Sequence, residues 1–243
     1  MKPALNASAS SDAAYRNVGF LLLLLLLIVV WGFYRTYFGL FPSFQGITTA
    51  QHFHGVVLLA WFALLIVQPF LIKYRRYRLH RAVGKVSYVL IPLVLLSIFM
   101  VAKAQFLRQV ATLPEAVSVG TLALNVPALF AFAAFYGLAM YYRRNPAYHM
   151  RYMVATALLM LGPGTGRAFI IYGGMPFETG IEYSDFLTEI LAAGLLIYDL
   201  RKGRPYQPYL VMLGVLLAIH LAWECRMMAG WQAFGKAFAT LFF

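Results

Sequence analysis

The sequence predicts an all-α fold, a bundle of seven membrane-spanning helices, and three observations carry that expectation. Hydrophobic residues fill 62% of the 243 positions and charged residues only 12%, with a mean hydropathy of +0.74, far more apolar than one soluble core of this length requires. The apolar residues gather into seven stretches, near 17–41, 52–72, 83–104, 117–142, 148–172, 182–200 and 207–230, each close to the roughly 20 residues that a helical crossing needs. Within the first of them LLLLLLLIVV at 21–30 is apolar on every face, whereas a barrel would alternate over stretches of about ten residues.

The elements follow in order. Residues 1–16, with the polar run NASASSDAA, form a tail ahead of the bundle. The first stretch is too long in its apolar core for a signal peptide, and WGFYRTYFGLF after it shows no small-x-small cleavage pattern. The second opens with QHFHG and the third with RLHRAVGK; the fourth carries Asn125 and Pro127; the fifth contains GPGTGRAFI at 162–170. There the glycines and Pro163 should interrupt regular hydrogen bonding just before Arg167. The sixth and seventh carry Asp185, Glu189, His220 and Glu224. The bundle domain thus covers 17–230, and the aromatic, once-charged tail 231–243 is expected in the membrane interface. Cys225 is the only cysteine, which excludes a disulfide framework and any CxxC motif.

The formal net charge is +12. In so apolar a chain a basic excess speaks for membrane topology and against nucleic acid. Lys2 and Arg16 precede the first stretch; Lys73, Arg75, Arg76, Arg78, Arg81 and Lys85 lie between the second and third. Arg143, Arg144 and Arg151 surround the start of the fifth, and Arg201, Lys202 and Arg204 follow the sixth. All fall on one side, so the N-terminus is expected in the cytoplasm and the C-terminus outside.

Arg35, His54, Arg167, Glu189, His220 and Glu224 then fall in the outer half of the bilayer, on five different helices. Each costs a few kcal/mol at such depth, so each should face the bundle interior and find a partner. His220 and Glu224 are one helical turn apart, as are Asp185 and Glu189, which puts each pair on one face. One reading is a metal site for zinc, iron or manganese with His54, His220 and Glu224 as ligands. Asp185 or Glu189 would then act as base toward metal-activated water, while Arg35, Arg167 and Asn125 hold a lipid or small amphiphile. A second reading is charge compensation, with Arg35 and Arg167 neutralising Glu189 and Glu224. A third is a non-catalytic carrier or accessory subunit. His52 lies two residues from His54, so at most one of them enters such a cavity from a helix. GPGTG lacks the Lys-Ser/Thr of a phosphate loop. The seventh stretch has no lysine for a retinal Schiff base, Lys236 lying beyond its end.

Four segments, QHFHGVVLLAWFALLIVQPFLI, RLHRAVGKVSYVLIPLVLLS, RNPAYHMRYMVATALL and the Arg167 that closes the same stretch, resemble a bacterial family of multi-pass membrane proteins known as a domain of unknown function. Its pattern falls here on His54, Gln68, His80, Arg81, Gly84, His149, Tyr152, Met153 and Arg167, and covers about half of the chain. His149 is followed by Met-Arg-Tyr-Met in place of a direct His-x-x-Met. The family has no established activity, so the resemblance implies positions and a bacterial inner-membrane location. A weaker likeness, through Leu79, His80 and Gly84, is to four-helix b-type cytochromes; it implies haem b held by His80 and His149, at one depth on the cytoplasmic side. The other reading of these two histidines is that they open interfacial helices among arginines.

Overall fold

The computed structural model describes residues 17–243, so the polar tail 1–16 lies outside the described residues. These residues form nine α-helices and no strand: α1 Val18–Gly32, α2 Thr49–Lys73, α3 Tyr77–Gly84, α4 Ser87–Val110, α5 Glu115–Tyr141, α6 Pro146–Ile171, α7 Phe177–Arg201, α8 Gln207–Glu224 and α9 Ala229–Phe242. A short 3-10 turn, Phe38–Leu40, precedes α2. The all-α expectation holds. Five helices, α2, α4, α5, α6 and α8, are long and apolar enough to cross a membrane.

The other two expected crossings fall short for different reasons. α1 has 15 residues, about 22 Å of helix, and does not run through 17–41. It stops where Gly32 abuts the Gly164 backbone so closely that a Cβ would overlap the Gly164 carbonyl. The chain then folds back on itself, Gly39 N–H donating to Tyr34 O at 2.7 Å and Phe44 N–H to Leu40 O at 2.8 Å. α7 has the length, 25 residues, but Glu178, Glu182, Asp185, Glu189 and Asp199 punctuate it. The stretch expected at 83–104 is divided, α3 being a separate short helix before α4.

Local sequence sets the helix starts. Thr48 and Gln51 form a reciprocal capping box at α2, with Gln51 N–H donating to Thr48 Oγ1 at 3.3 Å and Thr48 N–H to Gln51 Oε1 at 2.8 Å. Asn145 caps α6 ahead of Pro146, and Pro208 stands in the first turn of α8.

α6 is the central helix, packed against α1, α5, α7 and α8. Its small residues allow this: a Cβ at Gly164 would meet Val29 Cα at 2.9 Å, and one at Gly180 of α7 would approach the Gly166 carbonyl at 3.4 Å. Without a hydrophobic force between helices in lipid, such close backbone approach is a main source of association. The expected interruption at GPGTG is absent, and α6 runs through Pro163. Hydroxyls serve the backbone there: Ser184 Oγ donates to Gly162 O at 2.7 Å, and Thr165 Oγ1 reaches Leu161 O at 3.1 Å. Trp61, Phe62, Val94 and Phe132 fill one core and Phe135, Leu158, Leu161 and Met212 a second. α9 covers residues of the expected interfacial tail and lies on α5, with Trp231 Nε1 donating to Val119 O at 3.2 Å and Phe238 joining a third core with Phe106 and Leu122.

Candidate functional site

The folded segment 33–48 between α1 and α2 and the short connection 172–176 between α6 and α7 place the end of α1, the start of α2, the end of α6 and the start of α7 at one end of the bundle. The ionisable residues expected to share one cavity there divide into two groups.

The first group is built by the Gly32–Gly164 contact, which sets the residues following α1 beside the last turn of α6. Trp31 stacks on Tyr172 with centroids 4.9 Å apart and planes 7° from parallel, and Tyr172 OH donates to Trp31 O at 3.1 Å. Arg35 Cζ sits 5.4 Å from the Tyr172 centroid, while Arg167 Cζ sits 4.2 Å from the Phe33 centroid. Each arginine therefore rests on a ring of the other segment. Arg167 also donates from Nη1 to Pro163 O at 3.1 Å. Both side chains are exposed, and among the described residues neither has a carboxylate within 4.0 Å. The expected neutralisation of Glu189 and Glu224 by these arginines is thus overturned. The reason is rotational: Glu189 and Asp185 face α8, whereas Arg167 and Arg35 lie where α6 meets the segment after α1.

His54 belongs to this group, within electrostatic reach of Arg167. Its Nδ1 lies 3.1 Å from Ser97 Oγ, and Ser97 gives its only proton to Val94 O at 2.7 Å. Nδ1–H must then be the donor, which leaves the lone pair on Nε2. His52, which sequence placed apart, bonds Tyr37 OH at 3.0 Å and anchors the fold after α1.

The second group joins α7 to α8. His220 Nδ1 lies 2.9 Å from Glu189 Oε1, with both side chains largely buried at 12% and 11% exposure, and Nε2 lies 4.0 Å from Glu224 Oε1. Asp185 is within electrostatic reach of all three, and Phe186 closes the His220 ring edge-on at 5.0 Å. The i, i+4 spacing read from sequence is realised, and its product is an imidazole linking carboxylates.

The metal ligands expected from sequence do not assemble. Among the described residues no group of three or more His, Cys, Asp or Glu is placed to hold an ion, His54 being tied to α4 and His220 to α7. Asn125 stands apart from both groups, its Nδ2 3.4 Å from Gln105 Oε1 on α4.

At the opposite end, Gln68 clasps α3. Its amide, oriented by its neighbours, donates to His80 O at 3.2 Å and to His80 Nδ1, and accepts from Gly84 N–H at 3.2 Å. His80 therefore carries its proton on Nε2; burial first, and then the nearby His149, hold its imidazole below the ordinary range. His149 is the opposite tautomer, Nδ1–H donating to Ala139 O at 2.8 Å. A bis-histidine haem would draw on Nε2 of both rings, the atom that the His149 tautomer leaves bare.

Sequence reasoning missed the strongest ion pair. Arg151 Nε donates to Asp199 Oδ2 at 2.6 Å with both side chains 3% exposed, and Arg151 also bonds Ala147 O at 2.8 Å and lies over Tyr209. Its signal was present, because Arg151 and Asp199 each lie inside an apolar stretch and not in the loop beside it. Comparison with protein-family models, curated proteins and solved structures finds no match to this chain.

Proposed function

We propose that the chain is a seven-crossing integral membrane protein, N-terminus cytoplasmic, that binds the anionic headgroup of a lipid or small amphiphile at its outer face through Arg35 and Arg167. The observation that carries this reading is the two exposed guanidinium groups laid over each other's rings with no carboxylate within 4.0 Å among the described residues. A ring under a guanidinium fixes its plane and leaves its N–H edge free, the arrangement that takes a carboxylate or phosphate by two parallel bonds. Trp31, Tyr34 and Phe41, all exposed, supply the apolar rim on which an amphiphile's tail rests, and aromatic rings favour the depth of lipid headgroups.

The remaining two crossings are assigned on physical grounds. α7 tolerates its acids because Glu189 meets His220 and Asp199 meets Arg151, as intramembrane charges require. α1 is completed by the fold that follows it. The orientation rests on the one-sided placement of lysine and arginine in the loops.

The test uses the full chain in neutral detergent with dodecyl phosphate as probe, Trp31 fluorescence as the signal, and W31F to subtract the other tryptophans. Saturable quenching that weakens at least tenfold in R35Q/R167Q, with no response to the uncharged dodecyl maltoside, is expected. Equal quenching in the wild type and the double variant would overturn the assignment.

A further inference from the structure

We propose that the groove between the end of α2 and α3 binds an anionic phospholipid of the leaflet that borders α3, its phosphate held by Arg75, Arg76, Arg78 and Arg81 and an acyl chain lying along Val67, Phe70, Leu71 and Tyr74. The proposal rests on the chain being a membrane protein but not on the Arg35–Arg167 site, which lies at the other end of the bundle.

Two adjoining grooves meet here. One is lined by Arg75, Arg76, Tyr77, Arg78, Leu79 and Arg81, the other by Val67, Phe70, Leu71 and Tyr74, and they share Arg76 and Leu79. A cationic compartment thus runs into an apolar one, in the order that a phospholipid presents its head and tail. The four arginines are exposed. Among the described residues none of them makes a side-chain hydrogen bond or an ion pair. Lys73, by contrast, is occupied, its Nζ 4.7 Å from the Phe20 centroid.

The groove is held in shape by the backbone. Arg75 adopts φ +57, in the left-handed region, and the Arg76 N–H closes the turn on Leu71 O at 2.7 Å. Gln68 then pins α3 at both His80 O and Gly84 N. A short helix fixed at two points presents its arginines without the ordering cost that flexible side chains on a loose segment carry. Exposed Tyr74, Tyr77 and Leu79 set this surface at the membrane boundary, where each basic residue near an anionic leaflet adds to binding. A phosphodiester satisfies several guanidinium edges at once, and the apolar compartment distinguishes a lipid from free phosphate.

The experiment places the full chain in phosphatidylcholine nanodiscs with or without about 30 mol% phosphatidylglycerol, extracts it in mild detergent, and counts retained lipids by native mass spectrometry. The wild type is expected to keep phosphatidylglycerol in preference to phosphatidylcholine. R75Q/R76Q/R78Q/R81Q should lose that preference at least tenfold, while the control R143Q/R144Q, two exposed arginines elsewhere, keeps it. V67W fills the apolar compartment without touching charge and should also reduce retention. Equal retention of the two lipids by the wild type, or a quadruple variant that retains phosphatidylglycerol unchanged, would overturn the proposal. So would displacement by inorganic phosphate with V67W inert, which would make this a phosphate site. R35Q/R167Q should leave the lipid count unchanged, so this test and the dodecyl phosphate test fail separately.

Discussion

Replacing Arg151 with methionine takes the guanidinium away from the buried Asp199 carboxylate. The Asp199 side chain is 3% exposed, and among the described residues its side-chain partner is Arg151 Nε at 2.6 Å. In R151M the buried carboxylate loses the Arg151 guanidinium, and breaking a buried pair from one side costs about 3–5 kcal/mol. Against a total of about 5–15 kcal/mol for a folded domain, that is roughly a fifth of the stability or more. Methionine matches much of the arginine stem, so the lost contact with Tyr209 is a smaller part of the change. The second variant is R151M/D199L, which removes both charges and should recover most of the loss, since apolar replacement of a buried pair is often neutral or better. Denaturant unfolding in neutral detergent, followed by far-UV circular dichroism, reads both. R151M within about 1 kcal/mol of the wild type, or no recovery in the double variant, would refute the claim that Asp199 is stranded.

Three further outcomes follow from the geometry. H220A removes the donor to the buried Glu189 and should cost about 3 kcal/mol, whereas E189Q keeps an acceptor for His220 Nδ1–H and should cost less; equal losses in denaturant unfolding would break the link between them. G32A forces a Cβ into the Gly164 carbonyl, and overpacking of about 1–3 kcal/mol should appear as a lowered Tm together with weakened dodecyl phosphate binding, because the same contact positions Arg35 and Phe33. A reporter fused after residue 77 should read as cytoplasmic and one after residue 178 as external; the reverse would overturn the charge-based orientation.

What could be read from sequence was whatever depends on composition and on spacing within one helix. The all-α class, the paired faces of Asp185–Glu189 and His220–Glu224, and the isolation of His52 from His54 all follow from composition and periodicity, and the structure reproduces them, with five of the seven apolar stretches as helices long enough to cross a membrane. What failed depends on how helices are turned against each other. Nothing within the sixth stretch says that Glu189 meets α8 and not Arg167, and nothing at 17–41 says that the helix stops at Gly32 to fit Gly164. GPGTG shows the same limit: its glycines serve close packing of α6 on α1 and α7, a role visible only once those neighbours are in place.

The two proposed anion sites share one physical origin, the scarcity of acids. Of the seven carboxylates among the described residues, Glu115 meets Lys236, Glu178 meets Arg226, Asp199 meets Arg151, and Glu189 and Glu224 flank His220. Asp185 belongs to the His220 group, and Glu182 forms no ion pair within 4.0 Å. None reaches Arg35, Arg167 or the four arginines around α3. Those six lie against exposed aromatic or apolar surface at the two ends of the bundle, where the bilayer offers phosphate oxygens. A guanidinium fully solvated by bulk water gains little from a ring beneath it or a groove beside it. One at the level of lipid headgroups gains from both, because the surroundings that orient it also exclude competing water and strengthen its attraction for an anion. Among the cations that internal pairing leaves over, these six have surroundings that suit an anionic amphiphile.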